Sequence, residues 1–152
     1  MPDIPQESLD RYRALSRALA RAYGRGTHAT RRRFGLASAE LHVLAALGAA
    51  EGGRLTIGAL TTALGLDKGA VSRAVESLAA RKLVSRSQDK EDGRAQAAAI
   101  LAKGRQALAK ADHAADAEAA ELLAALDAPR RRALLDGMET LAELLTGDPP
   151  PS

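Results

Sequence analysis

Residues 56–84, TIGALTTALGLDKGAVSRAVESLAARKLV, leave this chain few ways to fold. Apolar residues recur at helical spacing on both sides of Gly65-Leu66-Asp67: Ile57, Leu60 and Leu64 before it, Val71, Val75 and Leu78 after it. Thr56 can cap the first segment, and Gly65 can take the left-handed conformation that stops it. Leu66 supplies the apolar contact that often follows such a stop, and Asp67 can cap the second segment. Two short helices joined by a three-residue, glycine-containing turn make a helix-turn-helix. Leu83-Val84 then opens a strand, Asp92-Gly93 signals a turn, and Ala95–Leu101 returns as a second strand. That returning strand is alanine-rich, a poor composition for a strand.

The flanks read as helices, because Ala and Leu dominate while Val and Ile are scarce. Leu9, Tyr12, Leu15, Leu19 and Tyr23 share one face of a helix expected over residues 6–25. Arg11, Arg13, Arg17, Arg21 and Arg25 lie on its other face, and Gly24 and Gly26 are expected to end it. Ser38 is the expected N-cap of a helix with Glu40 in its first turn and Leu41, Leu44 and Leu47 facing inward. A long helix is expected over residues 102–126. Asp127-Ala128-Pro129 breaks it, and Pro129 suits the first turn of a last helix carrying Leu134, Leu135, Met138, Leu141 and Leu145 on one face. The fold class is therefore mainly α with a small two- or three-stranded β-wing. A winged helix-turn-helix lobe at 35–101 is flanked by a helical region at 1–34 and 102–146, and a disordered tail is expected at 147–152.

Composition removes several function classes. The chain has no cysteine, which excludes thiol catalysis and thiolate metal sites and fits a reducing compartment. The polar, acidic start MPDIPQESLD is not a secretory signal, and no apolar run approaches the roughly 20 residues of a membrane span. A cytoplasmic protein without membrane contact is expected. His28, His42 and His113 lack close metal-ligand spacing, so no metal or other cofactor is expected. No nucleophile–base–orienter set, phosphate loop or paired-carboxylate site emerges, which argues against an enzyme. Net charge is +3 but uneven: residues 1–33 hold eight arginines against three acids, whereas residues 102–152 sum to −3. That distribution suits an anionic partner. With Tyr12, Tyr23 and Phe34 as its three aromatics, the chain lacks the stacking platforms of single-strand binders.

The stretch from Leu60 to Gly104 resembles the core of the MarR family of bacterial transcription regulators. The residues carrying the resemblance are Leu60, Leu64, Leu66, Val71, Ser72, Arg73, Val75, Leu78, Leu83, Val84 and Arg86, followed by Asp92, Arg94, Leu101 and Gly104. The order of elements extends it over about residues 8–146. The chain departs from the family's pattern at Gly69 and Ala70, where hydroxyl residues are usual, at Lys82 in place of glycine, at Gly93 in place of arginine, and at Ala102 in place of threonine.

The resemblance implies a dimeric, sequence-specific reader of double-stranded DNA, a repressor, on a near-palindromic operator. Lys68, Gly69, Ser72, Arg73 and Ser77 would face the major groove, with Arg73 suited to a bidentate guanine contact. Arg94 would enter the minor groove, oriented by Asp92, while Arg86 and Lys90 would meet phosphates. Leu9, Leu15, Leu19, Leu134, Leu141 and Leu145 belong to apolar faces that the small lobe cannot cover. Their residues leave intrachain packing open, and the resemblance favours a homodimer. It also implies a small anionic or aromatic effector, for which Tyr12, Arg17, Tyr23, His28, Arg31 and His42 are the local candidates. The alternative is a winged-helix module that holds another protein and does not bind DNA. The lost hydroxyls at Gly69 and Ala70 keep it open.

Overall fold

Thr56 and Asp67 cap their helices as their side chains allow. Thr56 Oγ1 accepts from the Ala59 amide at 3.0 Å, and Asp67 Oδ1 accepts from the Ala70 amide at 2.9 Å. Between them Gly65 sits at φ +60°, the left-handed stop expected there. These residues delimit two helices in a computed structural model that describes residues 4–89 and 95–147, with the side chains of 26–32 excepted. In chain order the elements are α1 (Gln6–Phe34), α2 (Ser38–Ala49), a 3₁₀ turn (Glu51–Gly53), β1 (Arg54–Thr56), α3 (Ile57–Leu64), α4 (Lys68–Ala80), β2 (Val84–Gln88), β3 (Gln96–Ile100), α5 (Ala102–Ala124) and α6 (Ala128–Thr146). The expected tail falls outside the described residues apart from Gly147.

The chain divides into two compact units, Met1–Ala111 and Asp112–Ser152. The core of the first joins Leu36 and the inner faces of α2, α3 and α4 to the sheet. Val43, Leu44, Leu47, Leu60, Val71, Val75 and Leu78 are fully buried, with Val84, Ala98 and Ile100 closing it from the strands. The sheet is antiparallel in the order β1-β3-β2. β2 pairs with β3 from Val84↔Ile100 to Gln88↔Gln96, and β1 pairs with the other edge of β3 from Arg54↔Ala99 to Thr56↔Ala97. β3 is central, so its alanines are an asset. Ala98 fits the core without displacing α2 or α4, and Ala97 is 1% exposed on the opposite face.

Four expectations change in detail. α1 does not end at Gly24–Gly26 but runs to Phe34, where Gly35 at φ +65° stops it. Interior glycines cost about 1 kcal/mol each, too little to break a helix with helix-forming Ala and Arg on both sides. α2 is capped at Ala37 rather than Ser38, because the Glu40 carboxylate reaches back to the Ala37 amide at 2.7 Å. The wing, expected with two or three strands, has three, and the third is β1, in a segment read only at Thr56 as a helix cap. α5 ends at Ala124, and Asp127 caps α6 by accepting from the Arg130 amide at 2.9 Å.

In the second unit Arg131 closes the turn between α5 and α6, donating from Nε to the Leu123 carbonyl and from Nη2 to the Leu126 carbonyl, both at 3.1 Å. The Leu123 carbonyl also accepts from the Leu126 amide at 3.2 Å, and the guanidinium joins it and the Leu126 carbonyl across the turn after α5.

Candidate nucleic-acid interface

The second helix of the helix-turn-helix, α4, buries Val71, Ala74, Val75 and Leu78, which leaves Lys68 and Arg73 exposed and Ser72 half-buried. The positions expected to face a major groove therefore share the solvent side of its first two turns. Arg73 does not pair with Glu76, because Glu76 is held by Arg86 at 3.3 Å, and Arg73 has no acidic partner among the described residues. A Cβ at Gly69 would stand 3.1 Å from Arg73 Nη1 and 3.0 Å from Asp67 Oδ1. The glycine thus lets the Arg73 guanidinium lie back over the first turn of the helix. A serine or threonine there would push it away.

Two of the expected contact residues hydrogen-bond within the protein. Ser77 is exposed, and its hydroxyl donates to Glu40 Oε1 at 2.5 Å, far along the helix from its N-terminal turns. Glu40, 7% exposed, also accepts from Arg81 Nη1 at 3.4 Å, and Arg81 donates to the Gly35 carbonyl at 2.7 Å. This cluster ties α2 to the C-terminal end of α4 and satisfies a carboxylate that burial would otherwise penalise. Arg86 donates to Glu76 Oε1 at 3.3 Å and to Gln96 Oε1 at 2.7 Å, which fastens the stem of the wing to α4. Its guanidinium is engaged within the protein before any phosphate is present. Lys90, Asp92 and Arg94 lie outside the described residues, which resume at Ala95, whose carbonyl accepts from the Asp89 amide at 2.7 Å.

The chain enters the wing through Lys82 at φ +59°. The Lys82 amide donates to the Ala79 carbonyl and the Leu83 amide to the Leu78 carbonyl, both at 2.9 Å, a Schellman stop for α4. Leaving β3, the Leu101 amide donates to the Leu83 carbonyl at 3.0 Å. A Cβ at Gly104 would lie 2.1 Å from that same oxygen, so the first turn of α5 can approach the wing only without a side chain there.

Tyr12, Arg17, Tyr23 and His42 are all exposed, and the side chains of His28 and Arg31 are outside the description. None of these four described residues lines the cationic pocket of this unit, which Arg33, Phe34, Arg81, Lys103, Gln106 and Lys110 surround. The pocket's charges come from helix ends and α5, positions that no local motif marks. Among the described residues no group of three or more His, Cys, Asp or Glu could hold a metal. No helix there is long and apolar enough to cross a membrane.

The lobe is a winged helix-turn-helix, with a three-stranded wing beside an exposed second helix. A sequence model of the MarR family matches residues 34–95, from the end of α1 to the residue before β3. No curated protein matches the chain. Solved structures of MarR regulators share its fold. A MarR transcriptional regulator from Methanosarcina mazei Go1 aligns with a TM-score of 0.74 at 22% identity, over 86% of this chain and 95% of that one. AbsC, a MarR family transcriptional regulator from Streptomyces coelicolor, aligns with a TM-score of 0.76 at 20% identity, over 97% and 100%. BpsR of Bordetella bronchiseptica, whose DNA binding is regulated by 6-hydroxynicotinic acid, aligns with a TM-score of 0.67 at 24% identity, over 85% and 98%.

Proposed function

We propose that this chain is a transcription regulator of MarR type, a homodimeric repressor that reads a near-palindromic operator in double-stranded DNA. The observation that carries the reading is the outer side of the N-terminal turns of α4, which presents Lys68 and Arg73 to solvent with Ser72 half-buried, while Val71, Ala74, Val75 and Leu78 anchor the helix in the core. A helix anchored this way can enter a major groove as a rigid body. Arg73 has the fork geometry for a guanine edge, worth about 1–3 kcal/mol of discrimination. Arg94, at the wing tip, reads the adjacent minor groove with Asp92 orienting it, and Lys90 meets phosphate. Arg86 can reach a phosphate only by releasing Glu76 or Gln96.

Dimerisation is supported by the apolar faces of α1 and α6, where Leu9, Leu15, Leu19, Leu134, Leu141 and Leu145 are exposed in the single chain. Surfaces of that kind mark interfaces. Two-fold symmetry then sets half-sites about one helical turn apart. Release by a small anionic or aromatic ligand, as BpsR responds to 6-hydroxynicotinic acid, is supported by the cationic pocket around Phe34.

Fluorescence anisotropy on DNA enriched from a random library, at two salt concentrations, tests the reading. Tight, salt-sensitive binding to a near-palindrome is expected, weakened by Arg73→Ala and by Arg94→Ala. Flat titrations at low salt would replace it with a winged-helix module that holds another protein.

A further inference from the structure

We propose that Arg54, on β1, is a positioning residue for the wing: it reaches across the whole sheet and fixes the end of β2 from which the wing tip departs. β1 and β2 are opposite edges of the sheet and share no main-chain hydrogen bonds, since β3 separates them. They lie two strand spacings apart, about 9.6 Å. Only a long side chain can join them, and only if the strand between is low. On the face away from the core, register aligns Arg54 with Ala99 and Ser85, and Thr56 with Ala97 and Ser87. The middle of that face is therefore all alanine, a furrow along which the Arg54 side chain runs.

At its far end the guanidinium meets three successive residues of the wing. Nη1 donates to Ser87 Oγ at 2.7 Å and Nη2 donates to the Gln88 carbonyl at 3.0 Å, with Asp89 Oδ2 at 3.7 Å. The ion pair is part-shielded, with side-chain exposures of 32% and 20%. Residues 87–89 immediately precede in sequence the segment 90–94, which contains Lys90, Asp92 and Arg94. The planar fork of arginine makes these contacts together. A lysine, with one compact head, cannot reproduce them. On the far side of the stem, Arg86 makes its own link to Glu76 on α4. The stem is thus tied from both faces, and Arg54 supplies the tie that does not involve the recognition helix.

The proposal rests on the DNA-reading function for its effect on affinity, while the strut itself can be tested without DNA. Arg54→Ala, Arg54→Lys and Arg94→Ala would be made in the full chain. Amide hydrogen exchange of Ser87, Gln88, Asp89 and Gln96 would be followed in free protein, and operator affinity would be measured over a salt series. Arg54→Ala is expected to speed exchange at the stem roughly tenfold while α2 and α4 keep their protection, with Arg54→Lys recovering less than half of the difference. Operator affinity should fall roughly fivefold with no change in the slope of log Kd against log salt, because no phosphate contact is lost. Arg94→Ala should instead lower that slope by about 0.9 and leave stem exchange unchanged. A slope change of that size for Arg54→Ala, with stem exchange intact, would make Arg54 a phosphate contact and overturn the proposal. Unchanged exchange in both Arg54 variants would overturn it as well. If the unaltered chain binds no DNA, the regulator reading fails and the exchange experiment still decides the strut.

Discussion

Lys82 is a lysine where the backbone asks for glycine. At φ +59° its Cβ crowds the main chain, a penalty of roughly 1–2 kcal/mol for a residue other than glycine. Lys82→Gly should therefore raise stability by about 1 kcal/mol, read as a higher denaturation midpoint with an unchanged slope. An unchanged or lower midpoint would mean that the lysine side chain makes a compensating contact. Gly104 is the opposite case. Adding a methyl 2.1 Å from the Leu83 carbonyl would force α5 and the start of β2 apart, so Gly104→Ala should lose about 1–3 kcal/mol despite the better helix propensity of alanine. The same denaturation curves give the sign. Sequence alone marked both positions, one as a departure from a resemblance and the other as a match. Lys82 is explained only by the stop it forms at the end of α4, and Gly104 only by the Leu83 carbonyl against it.

Among the elements, the polar link between α2 and α4, beside their shared apolar core, centres on one carboxylate. Glu40 caps the Ala37 amide, accepts from Ser77 and faces Arg81. Glu40→Ala leaves three donors without this partner and should cost about 2 kcal/mol. Glu40→Gln, which retains acceptor capacity, should cost less. Equal losses would show that charge, rather than hydrogen bonding, holds the cluster. Glu40 was legible as a first-turn acid, but its partners lie 37 and 41 positions away, beyond the reach of any local pattern. The same limit hid Arg54, a single cation at the start of a three-residue strand. It also made the alanines of β3 look like weak strand formers, when their small size suits the middle strand of the sheet.

For the whole molecule, the exposed apolar faces are the main consequence. Leu15 is 54% exposed on α1 and Leu145 is 71% exposed on α6. Under the proposed function a second copy covers them. Leu15→Asp and, separately, Leu141→Asp should shift sedimentation at micromolar concentration from dimer to monomer and abolish tight operator binding, because one half-site alone binds weakly. A sedimentation profile that neither substitution alters would remove these faces from the interface.

What the sequence by itself determined is local: the caps at Thr56 and Asp67, the left-handed stop at Gly65, the break before Pro129, and the inner face of α4 at Val71, Val75 and Leu78. Each depends on residues within about one helical turn, where side-chain chemistry and backbone geometry suffice. The tertiary structure alone decided which polar groups are free. Ser77 and Arg86 look as available as Ser72 and Arg73 in the sequence, yet packing brings Glu40 and Glu76 to the first pair and no acidic partner, among the described residues, to the second. A hydrogen bond depends on two positions at once, and the fold sets the distance between them.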